Sequence, residues 1–370
     1  MIFSKPFVVL SIPLMIVIGC AEENPAPVIL PEPSRIMHQD QFENEEFVVY
    51  ANGTLGTMQA YSTSASDGTH LEFELMPGAF PSVMNDQEGN EWNIYGIAVK
   101  GPRLGQQLKV MNTLMGYWFS FAAMYPEVTI FGEEERPDLG LSSPDPQWLI
   151  DPSSVYVGTF RDGIKSIDAP KFDLFHTNVK NDNYINENEL VITYFDGEDI
   201  RVYPHKVLDW HEVINENSNL GSSVVSYCPL TGTASVWKSE VDGQELTFGV
   251  SGLLYNSNLI LYDRQTESIW SQMRQLSVYG QNISKVPETI PYVEMTWEGA
   301  RQLDIQLKVL TQETGQVRNY DTYPYGDYRT NNDQINFPIN VEDDRVPAKE
   351  RVLAVIINER VKVYRFEHFE

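Results

Sequence analysis

Cysteine is almost missing from this chain: Cys20 and Cys228 are the only two among 370 residues. A framework of internal disulfides is therefore excluded, and stability has to come from hydrophobic burial. Basic residues are also scarce, with 26 Lys and Arg set against 52 Asp and Glu, for a net charge of −26. A surface that negative repels phosphate backbones, which argues against nucleic-acid partners, and it offers no basic patch for anionic lipid. Long apolar runs are lacking too. The longest, Phe7 to Ile18, is broken by Ser11 and Pro13 and would rise only about 18 Å as a helix, too little for a hydrocarbon core of about 30 Å. There is no Gly-rich phosphate loop and no Gly-x-Ser-x-Gly elbow. The Cys-x-x-Cys pair of dithiol redox chemistry is absent as well, because Thr231 stands where its second cysteine would be.

What remains is the composition of a globular protein, 42% hydrophobic and 21% charged, long enough for two domains with real cores. The 19 Tyr and 17 Phe lean toward β structure. Lys5 followed by the short apolar run reads as a signal peptide over 1–19. It ends in Val17-Ile18-Gly19-Cys20, which looks like a bacterial lipobox. The expectation is lipid on Cys20, the membrane as partner, and a place in the bacterial cell envelope, on the outer membrane or the periplasmic face of a membrane. Cys228 would then be the single thiol of the mature chain.

The acidic stretch 20–46, with Pro25, Pro27, Pro31 and Pro33, suits an extended tether. A first unit follows over 47–131, then a Pro- and acid-rich linker over 132–154, then a second unit over 155–370. The two units echo one another. Asp67 to Phe73 parallels Asp242 to Phe248, Asp86 to Trp92 parallels Asp263 to Trp270, Gly101 parallels Gly280, and Trp118 parallels Trp297. A period that long implies a duplicated domain rather than a solenoid. A fainter echo links Val191-Ile192 and Arg201-Val202-Tyr203 to Val355-Ile356 and Lys362-Val363-Tyr364.

Short β-rich runs bounded by Gly, Asp, Asn or Pro predict strands at Leu190–Tyr194, Ile200–Tyr203, Ser223–Tyr227, Ser235–Trp237, Leu246–Val250, Leu259–Tyr262 and Val352–Ile357. Asp242-Gly243 between two of these signals a hairpin. Helices are expected at Thr113 to Met124, His205 to Ile214 and Glu298 to Leu303. The fold class is α+β, dominated by antiparallel sheet, in two related units.

Chemistry concentrates between Asp199 and Trp270. Cys228, in Tyr227-Cys228-Pro229, ends a strand beside turn amides that could lower its pKa, although free cysteine is more often simply buried. His211-Glu212 resembles half of a zinc-protease helix, but Asn215 replaces the second histidine. His211 remains a candidate base or ligand with Glu212 or Asp209 orienting it. With His205 and Cys228 it would make a set suited to copper or zinc. Asp263 and Arg264 offer a polar pair beside Trp270 and read first as a structural ion pair. His38, His70, His176 and His368 read as surface residues.

Arg201 to His205, His211 to Asn215, Tyr227 to Thr233, Leu246 to Asn258, Tyr262 to Trp270, Phe337-Pro338-Ile339 and Asp344 to Val352 together resemble the bacterial and archaeal family called domain of unknown function 3179, over about Gly163 to Phe366. The first unit looks like a partial further copy of that family's later half. The resemblance brings no activity, cofactor or catalytic residue. Two readings stand: a lipid-anchored, non-catalytic binding or interaction module, taking an envelope protein or a small molecule, or a thiol- or metal-dependent envelope protein centred on Cys228, His211 and His205.

Overall fold

A computed structural model describes residues 35–133, 145–175, 184–303 and 305–369. The signal peptide, Cys20, the proline-rich start of the tether and His176 lie outside the described residues.

The architecture is mostly antiparallel β structure with few helices, as expected. Four tight hairpins turn on residue pairs with both φ positive: Glu43-Asn44, Asp242-Gly243, Asn256-Ser257 and Asn358-Glu359. Such turns match the right-handed twist of the strands they join, and Asn, Asp and Gly tolerate them best. Asp242-Gly243 does form a tight turn, but it joins Glu240–Val241 to Gln244–Glu245, whereas Val236-Trp237 pairs with Val224-Val225 and Phe248 with Asp263.

Among the described residues three short α-helices occur: α1 (Trp118–Met124), α2 (His205–His211) and α3 (Trp297–Ala300). All three are shorter than the sequence suggests, and for α1 and α2 a strand takes part of the expected run. Thr113–Tyr117 is a strand, and only from Trp118 does the chain coil; every residue of α1 is buried, so no polar face marks where strand gives way to helix. After α2, Val213–Ser218 is a strand. Arg35–Phe42 is a strand paired along its length with Glu45–Asn52, so the expected tether gives way to folded sheet at Arg35 rather than after Glu46.

Two sheets share one order of strands. In the first, Val293–Thr296, Leu190–Phe195, Ile200–Pro204 and Leu307–Leu310 lie side by side, antiparallel except for the last pair, with Phe172–Phe175 outside. In the second, Thr113–Tyr117, Arg351–Ile357, Arg360–Arg365 and Thr129–Ile130 repeat that order, again with a parallel last pair. In both, a helix opening on tryptophan follows the first strand directly: α3 after Thr296 and α1 after Tyr117.

Other elements match in pairs. The three-stranded sheet Arg35–Phe42, Glu45–Asn52, Thr57–Ser62 has a counterpart in Val213–Ser218, Gly221–Cys228, Thr233–Lys238. The four short strands from Phe73 to Lys100 have one in the four from Phe248 to Tyr279, where Val155–Val157 adds an edge. Within these, the Trp92 indole N–H donates to Asp86 at 2.9 Å and the Trp270 indole N–H to Asp263 at 2.9 Å. Gln87 accepts the Glu72 amide at 2.8 Å, and Gln265 the Thr247 amide at 2.9 Å. The Leu55 carbonyl takes the Thr296 amide at 2.8 Å, and the Thr231 carbonyl the Tyr117 amide at 2.7 Å.

The cores cross the expected linker. Tyr50, Tyr61 and Trp92 pack with Val191, Met295 and Trp297; Phe47, Val49 and Met58 pack with Leu353, Val355 and Tyr364. Arg351–Ile357 pairs with Thr113–Tyr117, and Arg360–Arg365 with Thr129–Ile130, so strands from the end of the chain join strands of the expected first unit.

Candidate functional site

Helix α2 carries two histidines, a lysine and an acid into the interior: His205, Lys206, Asp209 and His211 are all buried. Burial of such groups is costly unless each finds a partner, so an account of partners shows where the site lies. Lys206 donates to the Tyr184 carbonyl at 2.9 Å and pairs with Asp321 at 2.9 Å and Glu189 at 3.1 Å. Asp209 pairs with Arg329. His205 Nε2 lies 2.9 Å from Glu294 Oε2, close enough for an ion pair but not aligned as a hydrogen bond, and its ring sits 4.3 Å from that of Tyr227. Burial holds the His205 pKa below its ordinary value, against the pull of Glu294.

His211 is fully engaged. Nδ1 is 2.7 Å from the Lys165 carbonyl, and Nε2 is 2.7 Å from the Tyr320 hydroxyl. A carbonyl can only accept, so Nδ1 carries the proton and Nε2 accepts from Tyr320. That neutral form agrees with a pKa lowered by burial. Neither nitrogen is left for a metal.

Cys228 closes the strand Gly221–Cys228 with its side chain inside the core. Its sulfur accepts the Leu259 amide at 3.3 Å and donates to the Ser257 carbonyl at 3.8 Å. Burial, then the nearby charge of Glu212, pushes the thiol pKa up to about 11. The turn amides expected to lower it are outweighed, and at neutral pH the residue is a thiol rather than the thiolate that attacks or ligates. Among the described residues no group of three or more His, Cys, Asp or Glu is placed to hold a metal ion. The expected copper or zinc set of Cys228, His211 and His205 is not assembled, because each imidazole is turned to other partners.

Asp263 and Arg264 part company. Asp263 takes the Trp270 indole at 2.9 Å and the Thr266 amide at 2.6 Å, which pins its own loop. Arg264 reaches Ser166 at 2.7 Å and Asp168 at 3.1 Å. Both are braces. Of the outlying histidines, His70 is exposed as expected, whereas His38 and His368 are half-buried against Phe131.

One group in the α2 region is left over. Glu212 caps the helix with φ +58° and ψ −32°, a left-handed backbone that costs a non-glycine residue of order 1–3 kcal/mol. Its amide donates to the Leu208 carbonyl at 2.8 Å and its carbonyl accepts the Tyr227 amide at 2.8 Å, which hold it there. The carboxyl group, on a residue 6% exposed, has no hydrogen bond or ion pair among the described residues. Burial, helped by Asp209, pushes its pKa up to about 8, so it is a neutral acid at pH 7.

Around Glu212 and Cys228 stand tyrosines. Cys228 shares its core cluster with Tyr328, Tyr323 and Tyr325 pack against that cluster, and Tyr227 precedes Cys228 in its strand. Tyr117 lies against the turn after Cys228, its ring 3.0 Å from where a Cβ on Gly232 would be; that glycine has φ +64°, so any side chain is excluded twice over. Behind this wall Lys349 Nζ sits 3.2 Å from the centre of the Tyr328 ring and 4.6 Å from that of Phe119, with no hydrogen-bond partner. Burial lowers its pKa to about 7. Sequence reasoning missed the loop Tyr320–Arg329 and Lys349. The density of tyrosine at Tyr320, Tyr323, Tyr325 and Tyr328 was the signal available for the loop.

Fold and site together define a β-rich protein whose chemical interest lies at one buried acid, one thiol and a tyrosine wall. The chain belongs to the family described as Protein of unknown function (DUF3179), which matches residues 161–370, a stretch that holds α2, Cys228 and Lys349. No curated protein and no solved structure matches the chain.

Proposed function

We propose that this protein is a non-catalytic binding module of the bacterial cell envelope, held there by lipid on Cys20. The observation that carries the binding reading is the state of the candidate reactive groups: His211 has both ring nitrogens occupied, and Cys228 is a buried thiol with its pKa pushed up to about 11. The anchor reading rests on the run Phe7 to Ile18 and on Val17-Ile18-Gly19-Cys20. No described helix is long and apolar enough to cross a membrane, so the lipid is the device offered. The rival copper or zinc reading has less support, since its three ligands face different partners.

We also read the chain as one module used twice. The matched sheet orders and the paired Asp86–Trp92 and Asp263–Trp270 bonds support a duplication in which Arg351–Arg365 completes the earlier copy.

Labelled palmitate fed to cells expressing the full chain tests the anchor. Label should enter the native protein and not Cys20→Ala, which should leave the membrane fraction; equal label in both refutes it. Elemental analysis beside Cys228→Ser tests the rival. Stoichiometric copper or zinc lost with the thiol would replace the binding reading.

A further inference from the structure

We propose that the strand Val155–Val157 is a pairing edge, at which two copies of this chain join side by side and antiparallel into one continuous sheet. The proposal stands apart from the binding and anchor readings, and neither falls with it.

Val155–Val157 is the outer strand of five and is paired on one side only, with Phe248–Tyr255. Natural sheets blunt an open edge with charge or a cover. Here the edge carries Tyr156, Val157 and, just beyond, Phe160, which are 37%, 72% and 74% exposed. The strand has no counterpart in the sheet of four from Phe73 to Lys100, and it lies before residue 161, where the family match begins. It is extra to the arrangement that the two sheets share.

The backbone sets how a second copy would lie. The Gly158 amide donates to the Gly252 carbonyl at 2.9 Å, and Tyr156 stands opposite Leu254, so Tyr156 and Gly158 turn their polar groups inward. Val155 and Val157 alternate with them and turn theirs outward. The Val155 amide is taken by the Pro152 carbonyl, while no turn or loop bond takes the Val157 amide or the Val155 carbonyl. A second strand laid antiparallel and centred on Tyr156 brings each Val157 amide to the other copy's Val155 carbonyl. That contact is its own complement and closes after one partner.

Charge selects the same arrangement. Asp151 lies five positions before Tyr156 and Arg161 five positions after it. An antiparallel pair therefore sets Asp151 of each copy toward Arg161 of the other, whereas a parallel pair would set like charges together. Both side chains have capacity left. Asp151 accepts from Ser153 through Oδ1 and makes no bond through Oδ2; Arg161 spends one N–H on Glu267, at 3.1 Å.

The test uses the full-length chain carrying Cys20→Ser, which leaves buried Cys228 as its one native thiol. At 0.15 M salt the repulsion between two chains of net charge −26 is screened beyond about 8 Å. Sedimentation under that condition should show monomer giving way to dimer as concentration rises about a hundredfold. Val157→Lys, at an exposed position where lysine discourages pairing, should weaken the dimer about tenfold without moving the melting temperature. Asp151→Arg should weaken it comparably, and Asp151→Arg with Arg161→Asp should restore it to within about twofold. Two Tyr156 residues would face each other with Cα atoms about 4.5 Å apart, within disulfide reach, so mild oxidation should cross-link Tyr156→Cys. Val286→Cys, at a position 68% exposed elsewhere on the surface, should stay single. A chain monomeric at every concentration, a dimer indifferent to Val157→Lys, a charge swap that fails to restore pairing, or equal cross-linking of Val286→Cys overturns the proposal.

Discussion

Replacing Lys349 with methionine is expected to stabilise the protein, against the usual result of changing a buried residue. The Nζ has no hydrogen-bond partner and sits among the rings of Tyr328, Phe119 and Tyr117. Its pKa falls from 10.5 to about 7 through burial. At about 1.4 kcal/mol per pH unit, that depression corresponds to a cost near 5 kcal/mol. Solvent reaching part of the stem reduces the figure, and attraction between ammonium and rings offsets about 1–2 kcal/mol more. Methionine keeps the length of the side chain and makes favourable sulfur–aromatic contacts. A net gain of about 1–2 kcal/mol at pH 7 follows. Its pH dependence is diagnostic. Between pH 7 and 10.5 the folded chain binds fewer protons at Lys349 than the unfolded chain does, so wild-type stability rises with pH through that window. Lys349→Met lacks this term, and its advantage should shrink toward pH 10. Urea unfolding followed by tryptophan fluorescence at pH 7 and pH 9.5 measures both quantities. A variant less stable by more than about 1 kcal/mol at both values would mean that the cation is a strut rather than a burden; a gain independent of pH would mean that the amine is not titrating where burial places it.

Three more outcomes are expected. Glu212 has the opposite sign: its folded pKa lies above the unfolded 4.5, at about 8, so its stabilising contribution is complete below pH 4.5 and gone above pH 8. Glu212→Gln should therefore gain on the wild type as pH rises across that interval in paired unfolding curves, and a constant difference would contradict the assigned burial. Native Cys228 should resist a disulfide-exchange reagent at pH 8 and react within minutes once unfolded in urea; fast reaction of the native thiol would show that its pKa is not raised. Asp86→Ala and Asp263→Ala each strip a buried indole N–H of its acceptor, at a cost of about 2–3 kcal/mol; melting curves should show similar losses, and a large loss in only one would weaken the reading of two matched modules.

Local chemistry was the legible part of this chain. Asp242-Gly243 spells its own hairpin, and the runs Leu190–Tyr194 and Val352–Ile357 lie within strands because β-branched residues between turn formers leave little else. The echo of Asp86 to Trp92 in Asp263 to Trp270 could be read because the bond between acid and indole needs both residues at nearly fixed spacing. Thr113 to Met124 deceived because a run buried on every side has no period to betray its geometry. The site was half visible. Cys228 and Glu212 stood out as residue types, yet what matters about them, burial and the raised pKa it causes, arises only once the chain is folded. The three expected metal ligands stay apart for the same reason: the Lys165 carbonyl and Tyr320 occupy His211 from positions that no local motif connects to it.

Arg351–Ile357 and Arg360–Arg365 stand between Thr113–Tyr117 and Thr129–Ile130 in one sheet. A nascent chain emerging from the ribosome therefore makes its early strands long before their neighbours exist. Val49, Met58 and Leu114 have no finished core to enter until Leu353 and Val363 have been synthesised. The polypeptide should stay open to proteases, chaperones and threading machinery for nearly the whole of its manufacture, and then close late, in one step, from its far end.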